Sequence, residues 1–137
     1  MKTILIIEDD HCLTRTLSNI LRFEGYNVHS AENVRDAMLF IKESKPDLIL
    51  SDIALVEDNG YKLLRRLRKS AYCNIPFIFV SGKTKAKEII HGLQSGANDY
   101  ITKPFTYNLL IQKIKINLTT RIRSPDPGFN GGRVKMN

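Results

Sequence analysis

The chain has only two cysteines in 137 residues, Cys12 and Cys73, too few for the disulfide framework that small secreted domains rely on. Its N-terminus, MKTILIIEDD, lacks the charged, apolar and small-residue succession of an export leader. A reducing cytoplasm is the expected compartment. Apolar runs are short as well: PFIFV at 76–80 is strand-sized, far from the roughly 20 residues that a membrane-spanning helix requires. Glycine-rich phosphate cradles are also missing. Neither GxGxxG nor GxxxxGK[ST] follows the first apolar run, which argues against dinucleotide-binding and P-loop chemistry.

What is present is a hydrophobic content of 42%, enough for the core of one compact domain. Basic residues outnumber acidic ones, 21 against 14, for a formal net charge of +7, and basic surfaces attract phosphate backbones. The excess is uneven, however. Arg121, Arg123, Arg133 and Lys135 face only Asp126 at the C-terminal end. No helix-turn-helix signature follows residue 120, so no direct nucleic-acid contact by this chain is expected. Lys83, Lys85, Lys87, Lys113 and Lys115 read as a solvated face or a docking surface. His11, Cys12 and Cys73 make a poor zinc set, because adjacent residues seldom face one metal and a fourth ligand is not identifiable.

Short β-rich runs at 3–7, 27–30, 47–51, 76–80 and 99–102 alternate with longer segments of helical period. Leu13, Leu17, Ile20 and Leu21 form the apolar stripe of a helix over 11–24, ending at Gly25. Val34, Ala37, Met38 and Ile41 repeat the stripe behind an Asn33 cap, Leu63, Leu64 and Leu67 mark a third helix, and Ile89, Ile90 and Leu93 a fourth that Gly96 closes. Leu110, Ile114 and Leu118 predict a fifth helix near 106–120. SPDPGFNGG then breaks both periods. The domain therefore spans 1–120, with 121–137 expected to be an unstructured tail, a linker or a cloning remnant. Repeated βα units join by right-handed crossovers, so the fold class is α/β: a doubly wound, five-stranded parallel sheet with helices on both faces. TILII, LIL and FIFV suit its centre, and NVHS an edge.

Ligands of such sheets bind beyond the carboxyl ends of the strands. There the first strand runs into Glu8, Asp9 and Asp10, the third into Asp52, the fourth into Ser81 and Gly82, and the fifth into Thr102, Lys103 and Pro104. Acids near a helix start are favourable against its dipole, yet several carboxylates at one edge repel and need a counter-charge. A divalent cation such as Mg²⁺, which takes oxygen ligands and keeps waters, answers that need, with Lys103 supplying further positive charge.

These fragments, ILIIEDD at 4–10, PDLILSD at 46–52, Gly60, VSG at 80–82 and GANDYITKPF at 96–105, stand in an order and spacing that resemble the receiver domain of two-component response regulators, the chemotaxis-regulator-like family. The resemblance covers roughly residues 2–120 and implies a flavodoxin-like sheet of strand order 2-1-3-4-5. It implies that Asp52 accepts a phosphoryl group from a histidine kinase, a phosphotransfer protein or a small phosphodonor. Asp9 would bind Mg²⁺ directly, Glu8 mostly through water, and Asp52 and the Ala54 backbone carbonyl would complete the set. Asp10 is a helix start instead. Lys103, before a cis Pro104, would neutralise the transferring oxygens, Ser81 would donate its hydroxyl to them, and Tyr100 would turn inward in response, changing the face made by the fourth helix, fifth strand and fifth helix.

The chain departs from the pattern in places. Val56 stands where many receivers carry proline. Lys83, two residues past Ser81, and Ala54, two past Asp52, occupy positions that tune hydrolysis of the acyl phosphate. Leu109 replaces a glutamate common in one kind of receiver dimer, so a homodimer is left open. An Mg²⁺-dependent phosphatase of the haloacid dehalogenase type needs a second aspartate where Ala54 stands, and no enzyme activity beyond the domain's own phosphotransfer and dephosphorylation is expected. The remaining alternative is an unphosphorylated pseudo-receiver that only binds a partner. Partners implied are a sensor histidine kinase or phosphotransfer protein and a downstream output domain or protein.

Overall fold

The computed structural model describes residues 1–55 and 58–122. Its main sheet contains β1 (Thr3–Ile7), β2 (Asn27–Ala31), β3 (Leu48–Ser51), β4 (Phe77–Ser81) and β5 (Asp99–Thr102), all parallel and in the order β2-β1-β3-β4-β5. The helices are α1 (His11–Phe23), α2 (Val34–Ser44), α3 (Gly60–Arg68), α4 (Ala86–Gln94) and α5 (Tyr107–Ile122). This is the doubly wound arrangement expected from the βα alternation. A two-residue antiparallel ladder, Ala54–Leu55 against Asp58–Asn59, follows β3; no period as short as two residues could announce it.

Local chemistry sets the helix ends. The Asp10 carboxylate accepts from the Cys12 and Leu13 amides at 3.0 and 3.3 Å, Asn33 accepts from Asp36 at 2.8 Å, and Asn59 accepts from Lys62 at 2.9 Å, each satisfying an amide that the first turn leaves open. Beyond α1 and α4, Gly25 and Gly96 take φ of 96° and 113°, a backbone region in which side chains are strained.

Period-two alternation divides the core. Leu5, Ile7, Ile49, Phe77 and Phe79 face α2 and α3, against Val34, Met38, Ile41, Leu63, Leu64 and Leu67. Ile4, Ile6, Leu48, Leu50, Ile78 and Val80 face α1 and α5, against Leu17, Leu21, Leu110, Ile114 and Leu118. Both β3 and β4 are buried throughout, and β2 is an edge strand in which only Val28 and Ala31 are buried. At the pole where the strands begin, the Arg68 guanidinium donates to the carbonyls of Cys73, Ile75 and Gly96 and to Asn98 Oδ1. Burial lowers its pKa.

The fourth helix corrects an expectation. Ile89 packs partly buried against the core, but Ile90 and Leu93 are 52% and 40% exposed, so only one residue of the predicted stripe reaches it. Gly92 is the buried residue of α4 instead. The helix approaches the sheet through its backbone at Gly92, with the Ile89 side chain packed beside it against the core. Lys113, grouped by sequence with the solvated basic residues, donates to Asp99 at 2.8 Å. Strand and helix ends fall within two residues of expectation; α5 takes in residues 121 and 122, which the sequence places in the tail. The expectations for Val56 and for 123–137 lie outside the described residues. Among the described residues, no helix is long and apolar enough to cross a membrane.

Gly60 controls how closely α3 meets the end of β3. Its amide donates to the Ile53 carbonyl at 2.8 Å, and a Cβ there would lie 2.4 Å from the Asp52 carbonyl oxygen and 2.9 Å from Phe79 Cε1. Gly60→Ala is therefore expected to cost about 1–3 kcal/mol by overpacking, measured as a lower urea midpoint. Gly82→Ala, where a Cβ would meet nothing within 4 Å, should change stability by less than about 0.5 kcal/mol.

Candidate functional site

Three of the residues singled out by sequence meet directly at the carboxyl end of the sheet. The Lys103 ammonium donates to Glu8 Oε1 at 2.9 Å and to Asp52 Oδ2 at 3.1 Å. Glu8 follows β1, Asp52 follows β3 and Lys103 follows β5, so parallel register places all three at one end. The backbone ties this end together: the Asp52 amide donates to the Ile7 carbonyl at 3.0 Å and the Lys103 amide to the Ser81 carbonyl at 2.8 Å. The Lys103–Pro104 peptide is cis, as the resemblance implied.

Electrostatics follow from burial. Glu8 is 4% exposed, and desolvation pushes its pKa up, offset in part by Lys103 and by the Asp10 amide that donates to Oε2. Lys103 is also half-desolvated, which alone would lower its pKa; hydrogen bonds and charge from Glu8 and Asp52 outweigh that and raise it. The lysine is thus held as a cation. Asp52 is less deeply buried, with its side chain 12% exposed. Its Oδ1 accepts from the Ile53 amide at 2.7 Å while Oδ2 meets Lys103, and Ser51 Oγ donates to its carbonyl at 2.8 Å. The acceptor candidate is oriented from two sides yet reachable from solvent.

Ser81 lies at the end of β4, where its Oγ accepts from the Lys83 amide at 3.2 Å. The Tyr100 hydroxyl donates to the Lys83 carbonyl at 2.7 Å, and its ring is 6% exposed. Tyr100 therefore stands inward already, where the resemblance implied an inward turn only in response to a phosphoryl group, and burial raises the pKa of its phenol. Lys83 extends its amine toward Glu88, at 3.9 Å. Lys83 links the serine and the tyrosine through its two backbone groups, beside a direct side-chain interaction of Ser81 with the Tyr100 phenol.

Asp9, half-buried, follows Glu8 in the chain, and Ala54 lies exposed in the short ladder past Asp52. Glu8, Asp9, Asp52 and the Ala54 carbonyl offer oxygen donors alone, the chemistry that suits a hard divalent cation. Among the described residues, no group of three or more His, Cys, Asp or Glu side chains gathers as a metal cluster. The counter-charge between Glu8 and Asp52 is the Lys103 ammonium. Asp10 caps α1, as expected, and His11 pairs with Glu32 at 2.9 Å, while Cys12 and Cys73 are both exposed free thiols. The zinc set is not assembled.

Sequence reasoning assigned nothing to the Lys83 carbonyl or to Gly92. A backbone acceptor leaves no residue-type signal, whereas a glycine inside a helical stripe is one.

A family model described as the response regulator receiver domain matches residues 4–115. Among curated proteins, the transcriptional regulatory protein KdpE of Staphylococcus aureus is 41% identical over 113 residues, covering 82% of this chain and 48% of that protein. The phosphate regulon transcriptional regulatory protein PhoB of Pseudomonas aeruginosa is 39% identical over 136 residues, covering 98% of this chain and 58% of that protein. The chain spans about half the length of these relatives. Among solved structures, a CheY-like response regulator receiver domain protein from Methanospirillum hungatei superposes with a TM-score of 0.82 at 32% identity, covering 90% of this chain and 98% of that one. The BeF3-activated N-terminal receiver domain of Klebsiella pneumoniae RstA gives 0.79 at 27% identity, covering 85% and 98%. With the sheet order, the cis Lys103–Pro104 peptide and the Glu8–Lys103–Asp52 contacts in agreement, this chain belongs to the receiver domains of two-component response regulators.

Proposed function

We propose that this chain is a cytoplasmic phosphorylation switch of a two-component phosphorelay, with Asp52 as the phospho-acceptor. The observation that carries this reading is the Lys103 ammonium shared between Glu8 and Asp52. An Asp52 carboxylate oxygen attacks the phosphorus of a phosphohistidine on a sensor kinase or phosphotransfer protein, the P–N bond breaks, and its electron pair leaves on the imidazole. No general base is needed, because the nucleophile is already an anion. The protein's task is to position that oxygen and neutralise the phosphoryl group. Ile53 N–H and Lys103 hold the two carboxylate oxygens apart in role, one pinned by backbone and the other facing the cation.

Glu8, Asp9, Asp52 and the Ala54 carbonyl would hold Mg²⁺, which when bound supplies positive charge to the phosphoryl oxygens. Lys103 adds its own, and the Ser81 hydroxyl donates to an oxygen of the group. Because Lys103 already touches Asp52 at 3.1 Å, phosphorylation does not create the first cation contact; it adds about −1.5 to −2 charge beside an existing one. The gain that shifts the population therefore has to come from Ser81 and the loop bearing Lys83. Tyr100 already stands inward, so what the phosphoryl group would change is the hold of Ser81 and the Lys83 carbonyl on it, and through it the face of α4, β5 and α5, which an output domain or protein reads. The curated relatives, about twice as long, carry names of transcriptional regulators, consistent with an output outside residues 1–120.

With acetyl phosphate and Mg²⁺, intact-mass spectrometry is expected to show one phosphoryl adduct on the native protein and none on Asp52→Asn. A folded native protein that gains no adduct would establish the pseudo-receiver reading instead. The role proposed for Lys83, whose amine lies 3.9 Å from Glu88 in this structure, is to reach the water approach to the acyl phosphate, so Lys83→Ala should change the decay rate of the phosphorylated protein several-fold; an unchanged decay overturns that role.

A further inference from the structure

Glycine is the poorest residue short of proline for a helix interior, yet Gly92 lies within α4 and is buried there. Its surroundings supply the reason. A Cβ at this position would lie 3.0 and 3.1 Å from Tyr100 Cδ2 and Cε2 and 3.3 Å from Phe79 Cδ2, well inside normal carbon contact. The ring has little room to yield. Phe79 flanks it at a centroid distance of 6.1 Å and is itself flanked by Phe77 and Tyr61, and its hydroxyl is tied to the Lys83 carbonyl at 2.7 Å. The exposure of Ile90 and Leu93 fits the same picture, since α4 is docked through the bare backbone at Gly92.

We infer that Gly92 is a positioning residue for Tyr100: its missing side chain is the seat on which the inward ring rests, and through it the Lys83 carbonyl and the loop after Ser81 are held. A methyl group at 92 requires the ring to give by a few tenths of an ångström, which strains the hydroxyl bond to Lys83, while Asp52, Glu8 and Lys103 lie outside its contacts. The meaning of this seat for signalling rests on the phosphorelay reading above, but its existence is tested without any phosphodonor.

The test reads Tyr100 directly. Nitration by tetranitromethane, followed by peptide mass spectrometry, is expected to modify Tyr100 several-fold faster in Gly92→Ala than in the native chain, with Tyr72, at the opposite pole, unchanged. The second measurement is a urea midpoint in two backgrounds. Gly92→Ala should lower the midpoint more when Tyr100 is present than in Tyr100→Ala, where the two closest contacts are gone and only the 3.3 Å approach to Phe79 Cδ2 opposes the better helix propensity of alanine. If Gly92→Ala does not fold alone, recovery of folding in the double variant supports the seat. Protected Tyr100 in folded Gly92→Ala, or the same loss of stability in both backgrounds, overturns it. Absence of a phosphoryl adduct on the native protein would instead defeat the phosphorelay reading and leave the seat standing.

Discussion

One ammonium between two carboxylates organises the functional end of this domain. Glu8 is nearly inaccessible to water, and a buried carboxylate without a partner would be neutralised or would destabilise the fold. Lys103 reaches it from 95 positions along the chain, and only the parallel register of β1, β3 and β5 makes that meeting possible. The same ammonium faces Asp52, so the charge that makes a buried Glu8 tolerable also lies beside the proposed acceptor. Structural need and chemical function share one group. Under the proposed function, part of the favourable charge contact exists before any phosphoryl group arrives, and the difference in free energy comes from groups that change partners.

Backbone atoms carry much of that second layer. Ser81 Oγ receives the Lys83 amide, Tyr100 donates to the Lys83 carbonyl, and Gly92 leaves the space in which the Tyr100 ring lies. On the acceptor side, the Ile53 amide binds Asp52 Oδ1 and Gly60 lets α3 start directly against the Asp52 carbonyl. Two glycines of different secondary-structure context thus do comparable work: each permits a helix to approach closer than any side chain would allow, one under the acceptor and one beside the tyrosine.

The exposed apolar residues of α4 follow from this construction; those of α5 lie opposite the face on which it buries Leu110, Ile114 and Leu118. Ile90, Leu93, Leu109 and Ile116 are each more than a third exposed, on elements that flank β5. A helix seated through a glycine cannot bury its larger neighbours as deeply as α1 buries Leu17 and Leu21. Asp99, held by Lys113 and Asn117, ties α5 to β5 beneath that surface.

Much of the architecture was legible in the amino-acid sequence. Apolar period, the Asn33 cap, Gly25 and Gly96 predict the alternation of strands and helices, because these signals act within a turn or two of chain. The acids after β1, the aspartate after β3 and the lysine after β5 also announce a site, since parallel strands put all their carboxyl ends at one edge. What residue types could not determine was who touches whom across that edge. That Lys103 is the counter-charge shared by Glu8 and Asp52, that Tyr100 lies inward on a carbonyl, and that α4 buries Gly92 in place of Ile90 and Leu93 were decided by tertiary packing, where ångström-scale distances between remote segments decide which contacts form.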